Sequence, residues 1–238
     1  MSLFNRSYTS EITTMQKNAA QNALKMPNQN NPIVAHKFSA DPAVLVYNDT
    51  VYVYATNDMQ ELEISKGAKS NSYQSINTFN VFYSKDLVNW TDAGEIPVAG
   101  KKNKNGAAKW ATNSWAPAIA CKKINGKDKF FLYFADSANG IGVLSADSPL
   151  GPFKDPINKA LISRNTPTCN TINWLFDPAV FVDDDNRAYI YFGGGHDPEV
   201  YKNPKTARCV ELGDDMVSIK GTPQVIDAPY LFEDSGIN

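Results

Sequence analysis

Apolar residues along this chain fall into short, aromatic-rich runs of four to seven positions, bounded by Gly, Asn, Asp or Pro. The runs are "AVLVY", "TVYVYAT", "NVFYS", "KFFLYFA", "GIGVLSA", "PAVFVD" and "RAYIYFG". Val, Ile, Tyr and Phe in runs of this length suit a pleated, half-buried surface, so each run predicts a β-strand. After residue 30 no long stretch keeps a 3.6-residue period, and the body is predicted to be nearly all β. Residues 1–30 differ: they are polar, with several Asn and Gln, and predict at most one short helix from Thr9 to Ala23. The turns "YNDT", "INGKDK" and "DDDNRA" join pairs of runs, and their Asn, Asp and Gly predict hairpins.

The pattern also repeats. "DPAVLVYNDTVYVYATN" from Asp41, "APAIACKKINGKDKFFLYFAD" from Ala116, "DPAVFVDDDNRAYIYFGGG" from Asp177 and "APYLFEDSGIN" from Ala228 each open on a small or acidic residue, then Pro, then a strand. The four prolines, Pro42, Pro117, Pro178 and Pro229, are spaced by roughly 50 to 75 residues. "VFYSKDLVNW" and "GVLSADSPLGPF" add a further strand, a Ser-x-Asp and an aromatic to the first two units. Several strands in each unit of that period are the signature of propeller blades. A β-sandwich would also supply short strands but would not require the recurring phrase. In a propeller the innermost strands all begin at one mouth of the central channel. Asp41 and Asp177 share a slot, so both carboxylates are predicted to reach that mouth, an arrangement suited to acid/base chemistry. A single Asp-Pro reads most simply as a strand start; two in equivalent slots favour chemistry.

Composition narrows the classes. The 238 residues carry 23 basic and 25 acidic side chains, a net charge of -2, which implies no pull towards nucleic acid or an anionic membrane. No apolar run approaches the length of a membrane helix. The amino-terminal segment lacks an apolar signal core, so a cytoplasmic protein is expected, or a secreted one if its native leader was removed. Three scattered cysteines suggest neither a disulfide framework nor a zinc site. The two histidines, His36 and His196, adjoin no nucleophile motif and are read as solvated loop residues. "DDDN" at 183–186 reads as a hairpin turn rather than a calcium loop, because Ala188 and Gly194 stand where an EF-hand needs Gly and Glu.

These phrases resemble glycoside hydrolase family 43. The resemblance rests on "FSADPAVLVYNDTVYVYATND", "NSWAPAIACKKINGKDKFFLYFAD", "IGVLSADSPLGPF", "FDPAVFVDDDNRAYIYFGG" and "FEDSGIN" as an ordered set. It implies a five-bladed β-propeller over residues 31–238, incomplete at the carboxyl end, after a polar leading segment at 1–30. It implies an inverting, exo-acting hydrolase of O-glycosyl bonds, foremost an α-L-arabinofuranosidase acting on arabinoxylan or its oligosaccharides. β-D-xylosidase and endo-arabinanase are the alternatives within the family, and a non-catalytic carbohydrate-binding propeller is the alternative outside catalysis. Matched residue by residue, Asp41 takes the place of the general base and Asp177 that of the carboxylate that holds and tunes the acid. Glu233 takes the place of the general acid, although Asp227 of "IDAP" shares the repeat slot. Trp115 is the candidate sugar-stacking wall and Asn113 a neighbouring polar contact. No cofactor is required, and a structural Ca2+ is not expected. The expected partners are arabinose- or xylose-containing saccharides, with neither nucleic acid nor membrane.

Overall fold

The computed structural model describes residues 23–24, 32–64, 72–195 and 205–226. These form three antiparallel sheets and one short helix, α1 (Met59–Ile64). The first sheet is a meander of β2 (Ser39–Tyr47), β3 (Thr50–Asn57), β4 (Thr78–Ser84) and β5 (Asn89–Pro97), with β1 (Ala23–Leu24) added outside β5. The second runs β6 (Trp115–Ile124), β7 (Lys127–Ala135), β8 (Gly140–Ala146) and β9 (Ile162–Ser163). The third runs β10 (Ala179–Val182), β11 (Ala188–Phe192), β12 (Arg208–Leu212) and β13 (Ile219–Val225). The first strands lie together, with β6 touching both β2 and β10. Four-stranded meanders set side by side on their first strands are propeller blades. No helix among the described residues is long and apolar enough to cross a membrane.

The aromatic runs owe their character to the space between blades. Alternate residues of a strand face opposite sides. In β7, Phe130, Leu132 and Phe134 pack with Tyr54, Phe79 and Val81 of the first blade. The intervening Phe131 and Tyr133 pack with Ile190, Phe192 and Val210 of the third. A strand held between two blades must be apolar on both faces, hence the unbroken "FFLYF". Each such side chain, fully buried, stabilises by about 1.5–3 kcal/mol. Tyrosine hydroxyls peg neighbours together: Tyr54 donates to Pro149 O at 2.6 Å and Tyr133 to Met216 O at 2.7 Å. These two tyrosines hold equivalent registers, opposite Ala43 and Ala118. Tyr191, opposite Ala179 in the third blade, is 41% exposed.

The turns follow the sequence. Asn48 and Asn125 have φ of 47° and 52°, and Asp49 and Gly126 follow at 54° and 78°, as two-residue hairpins of the first and second blades require. Several features depart from expectation. The strands β5, β9, β12 and β13 carry no aromatic-rich run: β13 lies at a sheet edge with most of its residues exposed, and β12 is buried only at alternate positions, through Arg208, Val210 and Leu212. Ala23, the expected end of a helix, pairs with Trp90 as a strand residue, and the rest of that predicted helix lies outside the described residues. His36 is no solvated loop residue: it meets Asp92 at 2.7 Å and sets its ring edge-on to Phe82. With Lys37, which reaches the same carboxylate at 2.9 Å, it ties residues 36–37 to the first blade.

Candidate active site

The recurring x-Pro slot is a β-bulge. In the first blade Ala40 pairs with Thr56 and Ala43 with Tyr54, so Asp41 and Pro42 together oppose one residue. In the second, Trp115 pairs with Ala135 and Ala118 with Tyr133, which leaves Ala116 and Pro117 extra. In the third, Gly193 N–H donates to Phe176 O and Ala179 pairs with Tyr191, which leaves Asp177 and Pro178. At all three, the residue before Pro is left-handed: φ is 50° at Asp41, 43° at Ala116 and 50° at Asp177. A non-glycine residue there is strained by about 1–3 kcal/mol. Bulges re-aim a side chain, and Asp tolerates this conformation better than most residues. Ala116 adopts it with no carboxylate to present.

A buried hydroxyl joins two of these slots. Thr56, near the end of β3, donates from Oγ1 to Asp41 Oδ2 at 3.0 Å and accepts from Ala116 N–H at 2.9 Å. Below it, Asn57 Nδ2 donates to Thr78 Oγ1 at 2.9 Å, and Asn80 Nδ2 donates to Ser39 Oγ at 2.9 Å. Asn57 and Asn80 are buried. Asp41 therefore stands on a polar platform built from the mouth ends of β2, β3 and β4.

Asp177 arrives from the third blade. Burial, and then the charge of Asp41, push its carboxyl up to about 6. The residue is also open to solvent, and water screens part of that effect. Asp58 completes the acidic set. Burial and the Asp41 charge raise its pKa, opposed by a hydrogen bond from the Ala40 backbone. Asp58 lies outside the repeated phrase, one residue past β3, and no sequence signal singled it out beyond its position at a strand end.

The other expected residues divide. Trp115 starts β6 at this same mouth, one residue from Ala116, and donates from Nε1 to Tyr73 O at 2.8 Å. Asn113 is fully enclosed, at 0% exposure. Its Nδ2 reaches Ile76 O at 3.1 Å and Tyr73 O at 3.4 Å, and its Oδ1 accepts from Ser137 at 2.9 Å. It braces the 73–76 loop from inside rather than facing the mouth. Glu233 and its rival Asp227 lie outside the described residues. Among the described residues no group of three or more His, Cys, Asp or Glu is placed to hold a metal ion.

The fold and the mouth define a β-propeller that delivers carboxylates from separate blades to one end of its first strands. The chain belongs to glycosyl hydrolases family 43, whose model matches residues 29–237. It is 53% identical over 221 residues to an arabinoxylan arabinofuranohydrolase of Paenibacillus polymyxa, a match covering 90% of this chain and 35% of that protein. It is 54% identical over 218 residues to an arabinoxylan arabinofuranohydrolase of Bacillus subtilis (strain 168), covering 87% and 42%. Among solved structures it resembles a family 43 arabinoxylan arabinofuranohydrolase from Bacillus subtilis in complex with cellotetraose. That match has a TM-score of 0.80 and 51% identity, over 89% of this chain and 45% of the other. The chain thus spans less than half the length of these relatives.

Proposed function

We propose that this chain carries the acid/base machinery of an inverting α-L-arabinofuranosidase that removes arabinose from arabinoxylan or its oligosaccharides. One observation carries the reading: Asp41 and Asp177, 136 positions apart by their numbers, emerge from equivalent left-handed bulges close enough for the first to raise the pKa of the second. In an inverting glycosidase one carboxylate activates water while a carboxylic acid protonates the leaving oxygen, with about 6.5–9.5 Å between them. Asp41 is the base, held by the Thr56 hydroxyl. By the family resemblance Glu233 is the acid, and Asp177 the carboxylate that serves it. The two arabinofuranohydrolases at 53% and 54% identity support arabinose over xylose as the released sugar.

The test uses the intact protein with 4-nitrophenyl α-L-arabinofuranoside and the matching β-D-xyloside. Faster turnover of the arabinofuranoside is expected, with Asp41→Ala and Glu233→Ala each lowering kcat by at least a hundred-fold, the usual scale for general acid/base catalysis. Wild-type turnover in the Asp41 variant excludes it as base. NMR of the first-formed sugar should show inversion at the anomeric carbon, and retention rejects the scheme.

A further inference from the structure

The loop beside the acidic mouth is held far more firmly than a surface loop needs. Glu61 of α1 is 2% exposed. Its Oε1 accepts from Ser72 N–H at 2.9 Å and Ser72 Oγ at 2.6 Å, and its Oε2 accepts from Ser75 N–H at 3.1 Å. Next to it, Gln60 Oε1 accepts from Asn77 N–H at 2.9 Å and Thr78 N–H at 3.1 Å. From the second blade, Asn113 and Trp115 both donate to Tyr73 O. The loop is therefore gripped by a buried carboxylate on one side and by the start of β6 on the other.

What this grip presents is Tyr73. Its φ is 58°, a strained value for a bulky residue. It is 51% exposed, and its ring stands edge-on to Trp115 with centroids 6.2 Å apart and planes at 72°. Trp115 is only partly buried. It precedes Ala116, whose amide shares the Thr56 hydroxyl with Asp41. A strained, half-exposed tyrosine fixed against a tryptophan at the rim of an acidic mouth is a preorganised aromatic surface. The C–H faces of sugar rings are apolar and pack on such rings. The carboxylates lie at the bulges of the first and third blades, and the two rings meet at the start of β6, the strand that touches the first strands of both.

We propose that Tyr73 and Trp115 form one wall of a subsite for the xylose ring next to the cleaved arabinose, and that Glu61 is the positioning residue that holds this wall in place. The proposal rests on the arabinofuranosidase reading and adds the element that selects a branched xylo-oligosaccharide over a simple arabinoside. Glu61 touches no substrate and acts through the Ser72–Ser75 backbone.

The test compares two substrates of the intact protein: arabinose-substituted xylotriose, which has the xylose ring, and 4-nitrophenyl α-L-arabinofuranoside, which lacks it. Tyr73→Ala and Glu61→Ala are each expected to lower the ratio of kcat/KM on the oligosaccharide to that on the aryl glycoside about ten-fold. That corresponds to about 1.4 kcal/mol, and it should appear chiefly as a higher KM for the oligosaccharide. Glu61→Gln, which keeps one acceptor oxygen for Ser72, should recover part of the ratio. If Glu61→Ala does not fold, Tyr73→Ala still decides, since its side chain is half exposed. A ratio within two-fold of wild type in the Tyr73 variant overturns the wall. A parallel fall on both substrates in the Glu61 variants makes Glu61 merely structural and overturns its positioning role. A wild-type protein that cleaves neither substrate overturns the arabinofuranosidase reading itself, and the subsite with it.

Discussion

Asp177 should make the folded protein less stable than it could be, and Asp177→Asn should reveal by how much. Its carboxyl is raised from 3.8 to about 6, by burial first and by the Asp41 charge second. At about 1.36 kcal/mol per pH unit, that difference is at most about 3 kcal/mol. Asp177 is solvent-exposed, so screening reduces the expected effect to about 1 kcal/mol. The sign follows from proton binding. Between pH 4 and 6 the folded state holds a proton that the unfolded chain has released. Stability therefore falls as pH rises through this window, and the cost is fully present above pH 6. An Asn has the same size and no charge. Asp177→Asn should thus be more stable than wild type by about 1 kcal/mol at pH 7, with the gap closing towards pH 4, while glycosidase activity drops. Urea unfolding at pH 4, 5, 6 and 7 measures this, provided the slope with denaturant is unchanged. A variant less stable than wild type at pH 7, or a gain that does not shrink on acidification, refutes the electrostatic reasoning.

Thr56→Val keeps the shape but removes the hydroxyl that serves both Asp41 and Ala116, leaving a buried amide unpaired. A loss of about 2–3 kcal/mol is expected in denaturant unfolding, with Thr56→Ser close to wild type. Gly142→Ala drives a methyl carbon into the Phe134 ring, which is already stacked on Trp110 at 5.9 Å. Overpacking of this kind costs about 1–3 kcal/mol, readable as a lower melting temperature. Tyr133→Phe loses the bond to Met216 O between the second and third blades and should destabilise by about 1 kcal/mol, again by urea titration.

Much of the architecture is local, and so it is legible in the chain. The runs "TVYVYAT", "NVFYS" and "KFFLYFA" are β3, β4 and most of β7, because aromatic and β-branched residues on both faces have no stable place except between sheets. "YNDT" and "INGKDK" specify their hairpins through residues that accept positive φ. The repeated x-Pro phrase located Asp41 and Asp177 in equivalent slots, since radial repetition turns equal position in the unit into nearness in space.

Other features were decided only by the folded chain. The polar strands β5 and β13 exist because an apolar neighbour lends them a ladder to pair with, and nothing in "NWTDAGEIP" or "IKGTPQV" announces this. The left-handed turn at each x-Pro slot comes from the bulge, not from a preference of Ala116. Asn113, expected as a polar contact beside Trp115, is enclosed, because burial depends on which loop covers a residue. Glu61 and Tyr73 belong to no motif; their association joins a helix, a loop and the second blade. Strand identity and turn type depend on each residue's own conformational energetics, which the chain carries in order. Burial, charge coupling and the direction of a side chain depend on groups many positions away, which only the tertiary packing brings within reach.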